Sequence, residues 1–270
     1  MQFYFVFDGF DGGGEEFGGD LASEIKKRIL TNAEEIARTF KFENHEKECR
    51  AVLRKLARSD RKRFNVARAV PRHLAPAILR ELETSGIITR EKSRETPPPR
   101  SLPSRRLPRE LRRYHVQDKI HFRDNFTRFW FYFCEPNLNA LRAGRADEVL
   151  ERVENGLWEY FSLPFELACC DFLSLKFEIA REEIASYWDK NDEIDIYCEF
   201  GMHSLVGEVK YRERKVCKDV LSRLVSKCER AGLEPDFYVI FSKSGFSREL
   251  AQMANDKILL FELNDFKELL

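Results

Sequence analysis

Two consecutive segments in the C-terminal third alternate apolar and polar residues, and this pattern constrains the fold more than any other feature. The segments are EIDIYCEF at 193–200 and HSLVGEVKY at 203–211, with Gly201 between them. Alternation with a period of two predicts half-buried strands, and a glycine between them predicts a tight hairpin turn. Further elements are predicted as helices at 157–178 and about 215–231, and as strands at 236–243 and 256–263. This α-β-β-α-β order predicts an α/β domain with a mixed sheet.

The hairpin places three charged residues where they can act together. Glu208 and Lys210 are two residues apart, so their side chains share one face, and the turn brings Asp195 beside that face. Carboxylates on adjoining strands provide oxygen ligands for a hard divalent cation such as Mg²⁺ or Mn²⁺. Such an ion can activate water and stabilise a phosphodiester transition state, and a neighbouring lysine can position or deprotonate the water. The alternative is an ordinary salt bridge between Glu208 and Lys210.

The stretch FNVARAVPRHLAPAILRELETSGIITREKS predicts a second kind of module. A short helix is expected at 64–69, a second at about 73–84 ending at Gly86, and a strand beginning at Ile87. Helix, turn, helix and strand is the order of a winged helix-turn-helix, whose second helix can enter the major groove of DNA. Candidate DNA contacts on or near that helix are Arg72, His73 and Arg80. The alternative is a helical hairpin with a solvated basic face.

Charge is segregated along the chain although 46 basic residues balance 46 acidic ones. Residues 1–24 hold six acidic residues and no Lys or Arg, whereas residues 61–123 hold 17 Lys or Arg against 6 Asp or Glu. A local basic stretch is typical of a polyanion partner, here DNA. A further hypothesis is that the acidic segment covers the basic arm until DNA or a partner displaces it.

That basic arm spans residues 90–113, and 94–113 is its stretch rich in Pro and Arg. Five prolines exclude regular helix or central strand over most of its length, so we expect an extended tip between wing strands at Ile87–Arg90 and Tyr114–Phe122. Arginines in such a loop suit contacts with phosphates or with a minor groove. The alternative is a disordered, solvated loop, because composition does not decide between the two. The candidates are Arg105, Arg106, Arg109, Arg112 and Arg113.

Two aromatic-rich segments are also informative. QFYFVF at 2–7 predicts a short strand, and the run of bulky aromatics around FWFYF predicts a buried helix rather than a base-stacking surface. The expected organisation is an N-terminal helical region with the winged helix at about 60–123, then a connector and a catalytic domain. These three parts span residues 1–123, 124–155 and 156–270.

Composition excludes several classes of protein. No run of about 18 apolar residues occurs, so no membrane span is expected, and the N-terminus lacks the basic and apolar regions of a signal peptide. Seven cysteines without a CxxC pair argue against a zinc ribbon or a thioredoxin-type site. Unpaired thiols of this kind suit a reducing cytoplasm.

The spacing Asp195 … Glu208-x-Lys210, with an acidic residue on the preceding helix, resembles the PD-(D/E)XK nuclease superfamily. More closely, the chain resembles the C-terminal region of archaeal-type ATPases, in which a winged helix precedes a nuclease-like domain. The matching stretches are YHVQDKIHFRDNFTRFWFYF at 114–133, PFE at 164–166, YWDKNDEIDIY at 187–197 and GEVKYRERKV at 207–216. The ATPase domain of that family is absent from this sequence, and the resemblance covers roughly residues 60–270.

The resemblance implies a restriction-endonuclease-like fold in the C-terminal domain. It also implies that Glu166, Asp195 and Glu208 are metal ligands and that Lys210 is the catalytic lysine. Rival carboxylates are Glu178 for Glu166, and Asp189 and Glu193 for the other two.

The expected function is therefore a Mg²⁺- or Mn²⁺-dependent DNA endonuclease. Many such nucleases act as homodimers to cut both strands, and the sequence leaves open whether this one does. The alternative is a catalytically silent nuclease fold that binds DNA or regulates a partner.

Overall fold

The computed structural model describes residues 1–11, 16–59, 61–96 and 114–269. The chain divides into two compact units. Unit 1 comprises Met1–Lys92 and Gln117–Phe161, and unit 2 comprises Ser93–Val116 and Ser162–Leu270. All seven cysteines fall within the described ranges and are free thiols. The predicted connector at 124–155 lies wholly in unit 1.

Unit 1 begins with short helices and π-helical turns. Their bounds are α1 Gln2–Phe7, α2 Leu21–Glu24, a π-helical segment Ile25–Leu30, α3 Ala33–Thr39 and α4 Glu46–Arg58. The prediction of a strand at 2–7 is wrong, because this segment is α1. A short, continuous apolar run fits a buried helix as well as a strand. Packing decides in favour of the helix: Phe5 and Val6 are fully buried, and the Tyr160 hydroxyl donates to the Phe5 carbonyl.

The predicted helix, turn, helix and strand order is present in unit 1. It runs through a 3₁₀ turn Arg63–Asn65, α5 Val66–Ala69, α6 Ala75–Thr84, β1 Ile88–Glu91 and β2 Lys119–Phe122. Strands β1 and β2 pair antiparallel, with Ile88 opposite Phe122. Gly86 adopts a φ of +72° between α6 and β1, a conformation that favours glycine. Residues 97–113, which are all of the Pro- and Arg-rich stretch 94–113 except its first three residues, lie outside the described residues.

The aromatic-rich run forms the core of unit 1, as predicted. Its elements are α7 Asn125–Phe129, a π-helical segment Trp130–Cys134, a 3₁₀ turn Glu135–Asn137, α8 Leu138–Arg142 and the long α9 Ala146–Phe177. Phe129, Trp130 and Phe131 are fully buried. Within α9, Pro164 has no N–H to donate to the Tyr160 carbonyl. Arg128 donates to that carbonyl instead, at 3.1 Å.

Within its described residues, unit 2 contains a five-stranded mixed sheet in the order β3-β4-β5-β6-β7. The elements after α9 are a 3₁₀ turn Arg181–Glu183, β3 Ala185–Trp188, β4 Glu193–Phe200, β5 His203–Lys210, α10 Lys218–Ala231, β6 Phe237–Ser242, α11 Arg248–Ala251, β7 Ile258–Glu262 and a 3₁₀ turn Asp265–Leu269. Strands β3, β4 and β5 pair antiparallel, whereas β5, β6 and β7 pair parallel. The predicted α/β class and the four predicted strands are thus confirmed, and β3 is an additional edge strand.

Helices cover both faces of this sheet. The ring of Phe172, on the C-terminal half of α9, lies 5.7 Å from that of Phe241 on β6. Ile240, the neighbouring residue on β6, packs instead with Val220 and Leu221 of α10. Successive side chains of a strand point to opposite faces, so α9 and α10 lie on opposite sides of the sheet. The face covered by α10 is the one that carries the candidate site.

Candidate active site

The β4–β5 hairpin brings Asp195 next to Glu208 and Lys210, as the alternation predicts. Gly201 turns the chain with a φ of +58°, and the ladder runs from Phe200–His203 to its last pair, Ile196–Gly207. Beyond that pair, the Asp195 carboxylate accepts a hydrogen bond of 2.8 Å from the backbone N–H of Val209. The strand pairing therefore ends where the acidic side chains begin.

Gly207 allows the backbones to approach closely just before Glu208. A Cβ atom at this position would lie 3.1 Å from Cβ of Ile196 and 3.2 Å from the carbonyl oxygen of Val239. Both distances are tighter than ordinary van der Waals contact, so a larger residue would push the strands apart. The glycine keeps β4 and β6 close on either side of the strand that carries Glu208.

Four charged side chains form the centre of the site, which we call the hairpin cluster: Asp195, Glu208, Lys210 and Lys227. The Lys210 ammonium lies 2.7 Å from Oε1 of Glu208 and 3.8 Å from Oδ2 of Asp195. The Lys227 ammonium lies 2.8 Å from Oε2 of Glu208. Each oxygen of Glu208, which is only 8% exposed, thus binds a lysine. The salt bridge considered from sequence exists, but it is one part of a larger cluster.

Sequence reasoning missed Lys227. It lies on α10, three residues after the buried Leu224 and one before the buried Cys228, at the border of the apolar face. A lysine there is ordinary in an amphipathic helix. Only the packing of α10 against β4 and β5, through Leu224 and Cys228 with Tyr197 and Val206, brings it to Glu208.

The Asp195 carboxylate is electrostatically strained. Burial, and next the charge of Glu208, raise its pKa from 3.8 to about 6, against the opposing effect of Lys210. Its side chain keeps 20% exposure. Within the described part of the chain, its second oxygen, Oδ1, accepts no hydrogen bond. An accessible carboxylate oxygen beside a second carboxylate favours the arrival of a cation.

Glu166 lies on α9, which covers the opposite face of the sheet. Its charge and that of Asp195 both contribute, after burial and Cys170, to raising the pKa of the Cys169 thiol. Glu166 and Asp195 therefore each lie near Cys169. Among the described residues, however, no three His, Cys, Asp or Glu side chains are grouped to hold a metal ion. Glu166 as a third ligand stays a prediction.

The rival carboxylates have other surroundings. Asp189 accepts hydrogen bonds of 2.6 and 2.7 Å from the backbone N–H groups of Asn191 and Asp192, and so stabilises the β3–β4 turn. Glu193 begins β4 opposite Trp188. Glu178 follows the end of α9 with a φ of +53°. The hydrogen bonds of Asp189 give it a structural role.

The predicted DNA-contacting residues fall in two groups. Arg72, His73 and Arg80 are exposed in unit 1, but only Arg80 is on α6, because the helix begins at Ala75 rather than at residue 73. The arm arginines 105, 106, 109, 112 and 113 lie outside the described residues. An aromatic residue not singled out from sequence is also exposed: Phe64 is 54% accessible, and the Arg68 guanidinium lies 5.7 Å from its ring centroid.

The acidic N-terminal segment has partners within unit 1. Asp8 accepts a hydrogen bond from the Asn125 backbone, Asp20 caps α2 through the Ser23 N–H, and Glu24 pairs with Arg28. These acids contribute to local structure. That the segment covers the basic arm stays a prediction, because most of that arm lies outside the described residues.

In comparisons with known proteins, the chain matches proteins whose function is unknown. Residues 130–220 match a family model described as archaeal and bacterial proteins of unknown function. The uncharacterized protein MJECL04 of Methanocaldococcus jannaschii is 29% identical over 161 residues, which is 55% of this chain and 35% of the relative. The chain thus spans about a third of that relative's length. No solved structure matches. None of the helices in the described ranges is long and apolar enough to cross a membrane.

Proposed function

We propose that this chain is a divalent-metal-dependent DNA endonuclease of the PD-(D/E)XK type. The observation that carries the proposal is the convergence of Asp195, Glu208 and Lys210 at the point where the β4–β5 ladder ends. Two carboxylates and a lysine in this arrangement suit phosphodiester hydrolysis. The chain's resemblance to a nuclease-like region, carried by the same residues, supports this choice.

The donor set suits a hard cation. Asp195 offers an accessible oxygen, and its pKa is raised by burial and next by repulsion from Glu208, the part that a cation would relieve. Asp195 and Glu208 would hold Mg²⁺ or Mn²⁺, with Glu166 as a candidate third ligand. The ion would supply an activated water and charge stabilisation at the phosphate. Lys210, which shares a strand face with Glu208, would orient that water and exchange a proton with it.

Unit 1 would bind the DNA. The wing-like pair β1–β2 follows α6, whose Arg80 is exposed, and the exposed Phe64–Arg68 pair precedes it. Arginines contribute phosphate contacts, and an exposed aromatic ring can stack on a base. A winged-helix mode of binding is therefore part of the proposal.

The test is cleavage of supercoiled plasmid with Mg²⁺, Mn²⁺ or EDTA by the wild type, Asp195→Ala and Lys210→Ala. Lys218→Gln is the matched control, because Lys218 also pairs with a glutamate, Glu249, but on the exposed side of α10. We expect metal-dependent cutting by the wild type and the control only. Nicked product without linear DNA would favour a monomer, and linear product a homodimer. Equal DNA binding by all four proteins without cutting under any metal would contradict the proposal.

A second candidate is a catalytically silent DNA-binding protein that keeps the nuclease fold. One observation favours it: both oxygens of Glu208 already have an ammonium partner. Such a cluster would act as a structural ion-pair network. The same plasmid experiment separates the two candidates, because only the nuclease shows turnover that depends on metal.

A further inference from the structure

Lys227 is the member of the hairpin cluster that has no part in the proposed chemistry. It approaches Glu208 from α10, whereas Asp195 and Lys210 belong to the hairpin itself. Its ammonium lies 2.8 Å from Oε2 of Glu208, the oxygen that Lys210 does not bind. Lys227 therefore binds the carboxylate oxygen that Lys210 leaves open.

The charges of the hairpin cluster cancel. Asp195 and Glu208 contribute two negative charges, and Lys210 and Lys227 contribute two positive ones. A divalent cation that binds Glu208 in this state meets a neutral cluster with two ammonium groups facing it. Close like charges in a site of low exposure repel strongly. Metal binding is therefore favourable only when one ammonium withdraws.

Lys227 is the better able of the two lysines to withdraw. Lys210 is also bound to the Val209 carbonyl at 3.1 Å and lies near Asp195. In the part of the chain that the structure describes, Lys227 makes no hydrogen bond or ion pair besides the one with Glu208. Its side chain is 21% exposed, and a lysine stem is long enough to turn its ammonium towards water.

Withdrawal of Lys227 would leave α10 in place. Arg230, one turn further along the helix, binds Asp192 through two hydrogen bonds of 2.7 Å each. Leu224 and Cys228 remain buried against the sheet. The helix thus has two attachments that do not involve Lys227, so the Lys227–Glu208 pair is not needed to keep α10 on the sheet.

We propose that Lys227 is an exchangeable counter-ion of Glu208. Without metal, its ammonium neutralises the buried carboxylate; when a divalent cation binds, Lys227 releases Oε2 and turns to solvent. Lys227 thereby competes with the metal and lowers its affinity. This inference rests on the proposed function, since it assigns a regulatory role within the same site.

The experiment is a calorimetric titration of the full chain with Mn²⁺ at pH 7.5. It compares the wild type with Lys227→Gln, Lys227→Arg and the control Lys218→Gln, which removes the other glutamate-paired lysine of the same helix. We expect Lys227→Gln to bind Mn²⁺ about tenfold more tightly because the competing charge is gone. Lys227→Arg and Lys218→Gln should stay within about twofold of the wild type.

A second readout is thermal stability in EDTA and in saturating Mn²⁺. Lys227→Gln should melt below the wild type in EDTA, and Mn²⁺ should remove the difference, because the ion takes over the charge of Glu208. Equal or weaker Mn²⁺ binding by Lys227→Gln would overturn the inference alone, provided that the wild type binds Mn²⁺ and cuts DNA. Absence of Mn²⁺ binding in every variant would overturn the proposed metal-dependent function as well.

Discussion

Two buried glutamates, one in each unit, are neutralised in different ways. Glu135 in unit 1 is 3% exposed and accepts from Arg50 Nη1 through both oxygens and from the Trp130 indole N–H. The other nitrogens of Arg50 bind Glu46 and the carbonyls of Ala37 and Phe40. Glu208 in unit 2 is bound by two lysines, neither of which uses more than two acceptors within hydrogen-bonding distance.

The difference separates a structural ion pair from an adaptable one. A guanidinium whose donors are all distributed among fixed acceptors holds its partner in one geometry. An ammonium is a point charge on a flexible stem, and it can be exchanged for another cation. Glu135 and Arg50 thus form an ion pair that stabilises unit 1. The lysine partners of Glu208, in contrast, are of the kind that another cation can replace.

The largest expected effect concerns Lys210, the proposed catalytic lysine. Lys210→Met should lower the cleavage rate by about 10³-fold, because the water loses the group that orients it and exchanges its proton. DNA affinity in EDTA should not change. The measurement is single-turnover cleavage with separate binding titrations. A Lys210→Met protein that cuts within tenfold of the wild type would remove Lys210 from the mechanism.

Disrupting the Glu135–Arg50 pair should change the stability of the protein rather than its cleavage rate. Glu135→Gln leaves the partly buried Arg50 guanidinium with the exposed Glu46 as its remaining carboxylate partner, and breaking a buried pair in this way costs about 3 kcal/mol. Urea denaturation followed by tryptophan fluorescence measures the loss. A change below 1 kcal/mol would mean that Glu135 is as exchangeable as Glu208, and the comparison would fail.

The third prediction uses pH. The pKa of Asp195 is about 6 in the folded chain and near 3.8 when unfolded, so the folded state keeps a proton that the unfolded state releases. Stability should therefore fall as pH rises from about 4 to about 6. Asp195→Asn removes this penalty and should be more stable than the wild type at pH 8, by up to about 3 kcal/mol. The two should converge near pH 3.5.

Asp192 provides the control with the opposite sign. The Arg230 hydrogen bond lowers the pKa of Asp192, so its carboxylate stabilises the fold above its unfolded pKa and loses this effect in acid. Asp192→Asn should be less stable than the wild type at pH 8 and approach it at low pH. Urea-unfolding midpoints of Asp195→Asn, Asp192→Asn and the wild type, measured at pH 8 and at about pH 3.5, test both predictions. Destabilisation by both substitutions at pH 8 would contradict the account of Asp195.

The smallest expected effect concerns DNA binding by unit 1. Arg80→Gln should weaken DNA affinity a few-fold and reduce the slope of log K against log salt by about one, because one phosphate contact is lost. Arg38→Gln is the control, since Arg38 is highly exposed on α3 and pairs only loosely with Glu34. Fluorescence anisotropy in EDTA measures both. An equal change in the two variants would show that only overall charge matters.

Local patterns allowed much of unit 2 to be predicted. The alternation in β4 and β5 and the glycine between them are sufficient for the hairpin, and residues two apart on a strand share a face in any fold. Asp195, Glu208 and Lys210 could therefore be assigned to one site. Strand β3 was missed because it has four residues and little alternation.

The remaining features depend on packing between distant segments. The apolar segment 2–7 fits either a strand or a helix, and its burial against the rest of unit 1 selects the helix α1. Lys227 looks like a surface residue of an amphipathic helix until α10 is docked on the sheet. For Glu166, the distance to Asp195 depends on how α9 packs, which a sequence motif does not specify.

The most direct test of the central claim is single-turnover cleavage of a labelled duplex in Mg²⁺ by the wild type, Glu208→Gln and Glu135→Gln, with each rate divided by the folded fraction. We expect Glu208→Gln to lose about 10³-fold or more in rate, because one of the proposed metal ligands is gone. Glu135→Gln should stay within about twofold per folded molecule. Equal losses in the two variants, or unchanged cleavage by Glu208→Gln, would contradict the account.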